Sequence, residues 1–173
     1  MCYRRYWCRL FYKGLRIFVE MKGDFIVIDG ADGVGKSVLE KAMVSYYEEK
    51  GGTVFDSTSW VPRQGRAIPT FCDTQGYSEI LTGEPTHYGI VSVIREVVIS
   101  TRYADVFPNS TILRLFAEDR EIQFRAMVGP ALEAGLDVIQ GRGVSTTFCY
   151  QTASAEMKRK DVYGVIKIGR AHV

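Results

Sequence analysis

The sequence predicts an α/β protein with a mostly parallel β-sheet, and three observations favour this fold class. Residues 25–28, FIVI, and residues 136–140, LDVIQ, are short apolar runs typical of strands buried in a parallel sheet. Segments with the apolar spacing of amphipathic helices lie between these runs. The first run leads directly into residues 30–37, GADGVGKS, which fit the pattern G-x-x-x-x-G-K-[ST] at every fixed position.

This glycine-rich stretch is predicted to hold the phosphates of ATP. Glycines let the backbone curl with its N–H groups pointing inward, and the following helix adds the positive end of its dipole. Lys36 is expected to reach the β- and γ-phosphates, and Ser37 to offer its hydroxyl to Mg²⁺. The predicted ATP-binding residues are Gly30, Gly33, Gly35, Lys36, Ser37 and Val38. The alternative is a chance glycine-rich turn, which the strand before it and the helical pattern after it disfavour.

Length, charge and cysteine content narrow the class of protein. The 173 residues suit one domain with its own core. Residues 1–20 hold five Lys or Arg and one Glu, a charge of +4, so the net charge of +2 leaves −2 for the remainder. This slightly acidic remainder gives no electrostatic basis for binding nucleic acid. The four cysteines lack any C-x-x-C or Cys/His spacing, which favours free thiols in a reducing cytoplasm over a metal or disulfide framework.

Residues 1–20 mix aromatic and basic side chains and predict neither a membrane span nor a secretory signal. They never offer the roughly 18 uninterrupted apolar residues of a transmembrane helix. They also lack the apolar core and the small-residue cleavage site of a signal peptide. We interpret them as an extension that precedes a true start at Met21. A basic amphipathic segment that binds a membrane surface is the alternative.

The elements that follow the glycine-rich stretch can be predicted in order. Residues 38–50 have the apolar spacing of a helix, with Gly51 as its C-cap. The apolar positions of this helix are Val38, Leu39, Ala42, Met43, Tyr46 and Tyr47. Residues 53–59 and 79–82 are predicted strands. Between them, residues 62–77 are rich in Pro, Gly, Gln and Thr and are predicted to form an excursion loop.

The second half of the chain is predicted to add helices and one more strand. Residues 90–101 and 111–128 have helical apolar spacing, and residues 130–135 continue the second helix past a kink at its proline. Residues 136–140 form the next strand, and Arg142 follows directly. Because ligands bind beyond the carboxyl ends of the strands in an open α/β sheet, we expect Arg142 on the same rim as the phosphate loop. An arginine there suits the charge on a transferring phosphoryl group.

Side chains on the predicted helices are candidates for holding a base. Phe116 and Arg120 are four residues apart and share a helix face, so the ring can stack on a base and the guanidinium can bind its carbonyl edge. A core position is the alternative for Phe116, and an ion pair with Glu118 or Glu121 is the alternative for Arg120. Further hydroxyls and an amide that could line a base pocket, or simply cap and solvate the helix, belong to Thr146, Thr147, Tyr150 and Gln151.

Four ordered motifs resemble the thymidylate kinases, and more closely the thymidylate kinase-like proteins of archaea. They are IDGADGVGKS at residues 28–37, LTGEPTHYGIVSVIRE at 81–96, LFAEDR at 115–120 and PALEAGLDVIQGRGVSTTFCYQ at 130–151. The resemblance covers about residues 23–151 in the family's order. It implies a P-loop nucleoside monophosphate kinase-like fold, which is a three-layer sandwich around a mostly parallel sheet.

The resemblance implies transfer of the γ-phosphoryl group of ATP, with Mg²⁺, to a deoxynucleoside monophosphate, most directly dTMP to dTDP in dTTP synthesis. Asp32 matches the family's acidic residue near the 3′-hydroxyl of the acceptor sugar, and Arg142 matches the arginine of its Asp-Arg signature. With Lys36 they form the implied catalytic set. The implied acceptor-binding residues are Asp32, Glu84, Phe116, Arg120, Tyr150 and Gln151. Relatives are commonly homodimers, so a homodimer is also implied.

Three departures from the family's motifs bear on activity. Gly141 stands at the Asp of the Asp-Arg signature and removes a carboxylate expected to help organise Mg²⁺, and Gly83 stands where many relatives place an arginine that contacts the acceptor. The 22 residues after Gln151 are too few for the lid, the last strand and the C-terminal helix of the family. Residues 168–173 resemble a translated sequencing-adaptor tail. We therefore expect a kinase-like domain over residues 21–167 that is incomplete at its C-terminus.

Two other functions are alternatives to the kinase. A different P-loop NTPase is disfavoured because the sequence has no Asn-Lys-x-Asp for guanine and because the strand at 136–140 ends in Gln140 rather than in a carboxylate. A catalytically silent nucleotide-binding relative is made plausible by Gly141. The predicted partners are ATP and a deoxynucleoside monophosphate, without nucleic acid or membrane, in the cytoplasm.

Overall fold

The computed structural model describes residues 7–12, 15–60, 67–89, 107–153 and 159–169. Strands β1 (Trp7–Tyr12) and β2 (Leu15–Glu20) pair antiparallel with each other. A second, four-stranded sheet consists of β3 (Phe25–Ile28), β4 (Val54–Asp56), β5 (Glu79–Gly83) and β6 (Asp137–Gly141). Its order is β3-β6-β5-β4 with every pairing parallel, which confirms the predicted α/β class.

The predicted strands agree with the observed ones except near residue 55. Those expected at 25–28, 79–82 and 136–140 appear within one residue of their predicted bounds. The strand expected at 53–59 is shorter, because Asp56 accepts a hydrogen bond from the Thr58 N–H and starts a 3₁₀ turn at Ser57–Ser59. Another 3₁₀ turn, Phe71–Thr74, lies within the predicted excursion loop.

The carboxyl ends of β3, β5 and β6 meet in one row. Gly141 pairs with Ile28 on one side and with Gly83 on the other. Beyond this row, the Glu84 N–H donates to the Gly141 carbonyl at 2.9 Å, and the Arg142 N–H donates to the Ile28 carbonyl at 2.8 Å. The residues that follow the three strands are therefore gathered at one edge of the sheet, as expected for a ligand site in an open α/β fold.

Successive side chains of β6 point to opposite faces of the sheet. On the Val138 face, the core consists of Phe55, Ile80, Met127, Val128, Ala131, Leu132 and Val138. Gly141 has the opposite parity and faces helix α1 (Lys36–Glu49), where the side chain of Glu40 lies against it. Helices thus cover both faces of the sheet, which makes the fold a three-layer sandwich.

Strand β3 and helix α1 are less buried than predicted. The prediction that β3 is buried on both faces is wrong, since only Ile28 is buried and the side chain of Val27 is 42% exposed. β3 pairs only with β6 among the described strands, and an edge strand is covered less than a central one. Helix α1 ends before Gly51 as predicted, but none of its residues is buried, and Val38 is 72% exposed.

Helix α2 (Asn109–Gln123) continues through a π-helical turn, Phe124–Val128, into α3 (Gly129–Ala134). The sequence places a kink at Pro130, and the structure instead has the wide turn immediately before it, closed by the Gly129 N–H on the Phe124 carbonyl. Pro130 then stands in the first turn of α3, where a missing N–H costs nothing. The predicted helix at 90–101 lies outside the described residues.

Helices α4 (Val144–Ala153) and α5 (Arg159–Gly169) pack on α2. Buried Leu113 and Val162 form a second apolar cluster, with Val144, Phe148 and Val165 packed around them. This cluster fixes α4, which starts three residues after β6, against the helix that carries Arg120. Within the described part of the chain, no helix is long and apolar enough to cross a membrane.

Candidate functional site

The phosphate loop connects β3 to α1, as its sequence predicts. Gly33 and Gly35 have φ of 81° and 95°, values that favour glycine, and Gly35 is the N-cap of α1. The Lys36 Nζ donates to the carbonyl oxygens of Gly30 at 2.9 Å and of Ala31 at 2.6 Å. The ammonium group is thereby folded over its own loop, where incoming phosphate oxygens can replace the carbonyls.

Asp32 at the tip of the loop connects it to the residues that follow β6. Its Oδ1 accepts a hydrogen bond from Arg142 NH2 at 2.6 Å and lies 3.8 Å from Lys36 Nζ. Its Oδ2 accepts from the Tyr150 hydroxyl at 2.8 Å. The Tyr150 bond, followed by the bond and charge of Arg142, lowers the pKa of Asp32. One partly exposed cluster therefore joins Lys36, predicted to bind ATP, to Asp32 and Tyr150, predicted to bind the phosphoryl acceptor.

Arg120 and Glu84 form a buried ion pair on the other side of this edge. Arg120 Nε donates to both Glu84 oxygens at 2.8 and 2.9 Å, and Arg120 NH2 donates to Oε2 at 2.5 Å. Only 9% of Arg120 and 8% of Glu84 is exposed. The alternative that pairs Arg120 with Glu118 or Glu121 is therefore wrong, because the guanidinium points inward to the residue after β5.

Two further side chains complete the surroundings of this pair. Gln140 Nε2 donates to Glu84 Oε1 at 2.9 Å and to the Arg142 carbonyl at 3.1 Å. Thr147 Oγ1 accepts from Arg120 NH2 at 3.1 Å. From the sequence Gln140 is interpreted only as the absence of a carboxylate, although an amide at the end of a buried strand is itself a signal for a polar partner.

The third nitrogen of the Arg120 guanidinium, NH1, differs from the other two. Arg120 NH1 is buried and has no hydrogen-bond partner among the described residues. A buried donor without an acceptor is costly, and Trp60 Nε1 is a second such donor among the described residues. Phe116 lies half-buried one turn earlier on the same helix.

Asp119 attaches the segment after β5 to α2. It accepts from the Thr86 N–H at 2.8 Å and from the Thr86 hydroxyl at 2.5 Å, and both residues are buried. Burial raises the pKa of Asp119 above its ordinary value, against the Thr86 bonds that lower it. This contact, which the sequence analysis missed, holds Glu84 and Arg120 in register.

Asp29 anchors the other side of the loop to α4. It accepts hydrogen bonds from the Gly30 N–H at 2.9 Å, the Thr146 N–H at 3.1 Å, and the hydroxyls of Ser145 and Thr146. Thr146, a candidate for a base pocket in the sequence analysis, instead binds this carboxylate. An open cavity of about 470 Å³ beside these contacts is lined by Asp29, Gly30, Ala31, Ser145, Thr146, Cys149 and Tyr150.

The predicted metal-binding hydroxyl is available in the structure. Ser37 lies in the first turn of α1, is exposed, and its hydroxyl makes no hydrogen bond to a described residue. The side chain of Glu40, one turn further along α1, lies against Gly141 at the end of β6. A hydroxyl and a carboxylate are oxygen donors of the kind that Mg²⁺ prefers, so these residues fit the implied ion.

Comparisons with known proteins place this geometry in context. No family model matches the chain. The chain is 30% identical over 136 residues to the probable thymidylate kinase of Thermococcus gammatolerans, which covers 76% of this chain and 53% of that protein. It is 29% identical over 142 residues to the thymidylate kinase of Clavibacter sepedonicus, which covers 82% of this chain and 54% of that protein. The chain thus spans about half the length of the curated relatives it matches.

A solved structure supports the fold independently. The crystal structure of thymidylate kinase from Ehrlichia chaffeensis superposes with a TM-score of 0.60 at 19% identity, over 84% of this chain and 67% of that one. The relatives include archaeal and bacterial proteins, and the archaeal ones agree with the branch that the sequence motifs resemble.

Proposed function

Because the chain belongs to the thymidylate kinase family, we propose that it transfers the γ-phosphoryl group of ATP to a deoxynucleoside monophosphate, with dTMP as the preferred acceptor. The observation that carries this proposal is the position of Arg120 NH1. This buried N–H group lies at the edge of the sheet that also carries the phosphate loop, on the side where we expect the phosphoryl acceptor to bind.

The charge balance around Arg120 favours a base over a phosphate as its ligand. Glu84 already neutralises the guanidinium in a buried pair, so a second anion would be poorly compensated there. A neutral carbonyl oxygen, such as one on a pyrimidine ring, satisfies NH1 without adding charge. We infer that Phe116 stacks on the same base, and that Glu84 acts through Arg120 rather than on the acceptor itself.

The donor side of the site is formed by the phosphate loop. The loop N–H groups and the start of α1 would hold the phosphates of ATP, with Lys36 exchanging its carbonyl partners for the β- and γ-phosphates. Ser37 would hold Mg²⁺, which neutralises phosphate charge when bound with ATP. The predicted ATP-binding glycines and Val38 remain in this role.

Arg142 and Asp32 lie between the two sides. Arg142 has φ of 67°, which directs its side chain back toward the loop, and Asp32 holds its guanidinium. We infer that Arg142 stabilises charge on the transferring phosphoryl group. We also infer that Asp32 and Tyr150 position Arg142 beside the acceptor sugar. Gln151 follows on the same helix and stays a predicted acceptor-binding residue.

A coupled assay of ADP release tests this proposal with dTMP, dUMP, dCMP and dGMP as acceptors. We expect release that depends on the acceptor and is fastest with dTMP. Release without any acceptor would support a different P-loop NTPase instead. Binding of both nucleotides without turnover would support the catalytically silent relative, which Gly141 makes the second candidate. A homodimer and a cytoplasmic location also stay predictions.

A further inference from the structure

Glu40 carries a carboxylate beside the phosphate loop that has no partner among the residues the structure describes. It lies three residues after Ser37 on α1 and therefore on the same helix face, one turn away. The residue is half-buried, and its carboxylate makes no hydrogen bond or ion pair with a described residue. A half-buried carboxylate in the first two turns of the helix that follows the phosphate loop would be repelled by bound phosphates unless a cation lies between them.

The side chain of Glu40 occupies the space that a side chain at Gly141 would need. A Cβ added to Gly141 would overlap Glu40 Oε1 and lie 3.0 Å from its Cδ. Gly141 is the last residue of β6, and its face of the sheet is the one covered by α1. Glycine at this position leaves room for the carboxylate of Glu40 at the end of the strand, and a larger residue would push this side-chain end aside.

We propose that Glu40 is a positioning residue for the metal of this site, and that it supplies from helix α1 the carboxylate that β6 lacks at Gly141. In P-loop nucleotide-binding proteins Mg²⁺ is held between the loop hydroxyl and an acidic residue at the end of a neighbouring strand. Here the acidic group reaches the same strand end from the helix. This inference rests on the proposed ATP site and adds a role for a residue outside the phosphate-loop pattern.

Nucleotide binding with and without Mg²⁺ tests the proposal without relying on turnover. We would measure the affinity of the 173-residue chain for a non-hydrolysable ATP analogue by calorimetry, in EDTA and in Mg²⁺. Glu40→Gln should reduce the gain in affinity from Mg²⁺ by about tenfold or more, as loss of a supporting metal contact typically does. Its affinity in EDTA should equal or exceed that of the wild type, because a negative charge near the phosphates is removed. Glu48→Gln, at the exposed far end of α1, is the matched control.

Moving the carboxylate from position 40 to position 141 distinguishes a role of Glu40 in metal binding from a role in packing. Glu40→Ala should lose the Mg²⁺ gain, and adding Gly141→Asp to that variant should restore most of it, since the carboxylate is returned from the strand. An Mg²⁺ gain in folded Glu40→Gln equal to that of the wild type would overturn the inference alone. A wild-type chain that binds no analogue in either condition would instead contradict the proposed function on which it rests. Circular dichroism checks that each variant is folded.

Discussion

Arg120 is a buried cation whose charge is balanced within the protein while its hydrogen-bonding capacity is not fully used. Glu84 supplies the balancing charge, and Gln140 and Thr147 fix the two partners. Removing one member of a buried pair leaves the other charge uncompensated, which is far more costly than losing a pair at the surface. The pair therefore links the stability of the fold to the shape of the edge at which we propose the acceptor binds.

Replacing Glu84 with Gln tests this link. We expect the free energy of unfolding to fall by about 3 kcal/mol, because Arg120 stays buried without its counter-charge. We also expect weaker dTMP binding with unchanged affinity for an ATP analogue. Urea unfolding and calorimetry measure the two effects. The control, Glu118→Gln, changes an exposed carboxylate on the same helix and should cost less than about 1 kcal/mol. Equal losses for both variants would contradict the prediction.

Asp29 predicts how stability depends on pH. Burial raises its pKa, but hydrogen bonds from Ser145, Thr146 and Gly30 outweigh burial and lower the pKa below the ordinary value of 3.8. The folded state therefore holds its proton less tightly than the unfolded state. The stabilisation is fully present above pH 3.8 and is lost as the pH falls through the folded pKa.

We expect Asp29→Asn to flatten the acid side of the stability curve. Urea unfolding of the variant and the wild type at a series of pH values above and below 3.8 measures the difference in slope. Asp161→Asn, which removes an exposed carboxylate from α5, is the control. A variant that loses stability with acid as steeply as the wild type would show that Asp29 is not responsible.

The location of residues in local sequence patterns could be predicted from the sequence. The contacts of residues whose partners are distant in the chain could not. Lys36 and Arg142 could be assigned to one rim because the phosphate loop that carries Lys36 follows β3 and Arg142 follows β6. Asp119 and Gln140 contact groups 33 and 56 residues away, so nothing in their own neighbourhood indicates the partner. Arg120 shows both cases, because its place on the helix face was predictable while its pairing with Glu84 was not.

For strands and helices, the length and apolar content of a segment predicted that the element exists better than they predicted how deeply it is buried. The runs at 25–28 and 136–140 look alike in sequence, yet β6 is central and buried while β3 is at the edge of the described sheet. Strand order depends on pairings between distant segments, which a local pattern does not contain. The π-helical turn before Pro130 was likewise missed, because its wide turn accommodates packing rather than a sequence motif.

Two glycines with opposite surroundings test the packing of elements. A Cβ on Gly23 would overlap the backbone carbonyl of Leu136, which a flexible side chain cannot relieve. We expect Gly23→Ala to destabilise the fold by about 1–3 kcal/mol, as overpacking does. Gly164 lies inside α5 with no atom near its Cβ position, so Gly164→Ala should stabilise by up to about 1 kcal/mol through helix propensity. Thermal unfolding should show shifts of opposite sign; a matching sign would contradict the packing described.

In the molecule as a whole, the two faces of the four-stranded sheet carry different groups of residues. The Val138 face carries the core and the helix of Arg120, and the Gly141 face carries α1 with Ser37 and Glu40. The residues of the two faces therefore come together at the strand ends, where Asp32 and Arg142 connect the sides. The sequence predicted this meeting place from the order of strands and loops, but not which face would hold which helix.

Deletion of residues 1–20 tests whether the β1-β2 hairpin belongs to the nucleotide-binding unit. β1 and β2 pair with each other and not with the four-stranded sheet. We therefore expect the shortened chain to bind the ATP analogue with unchanged affinity in calorimetry. Deletion of residues 159–169, which removes α5 and its buried Val162, is the contrasting variant and should weaken folding. Loss of binding after the first deletion would show that the hairpin contributes to the site.

The contact between Glu40 and Gly141 also has an evolutionary consequence. Because one volume holds either a carboxylate from the helix or a side chain from the strand, the two positions are not free to change independently. A bulkier residue at 141 would displace the carboxylate of residue 40 from the strand end, and a small residue at 141 leaves room for it. We expect related sequences with glycine at the strand end to favour an acidic residue at the helix position, a covariation visible across an alignment.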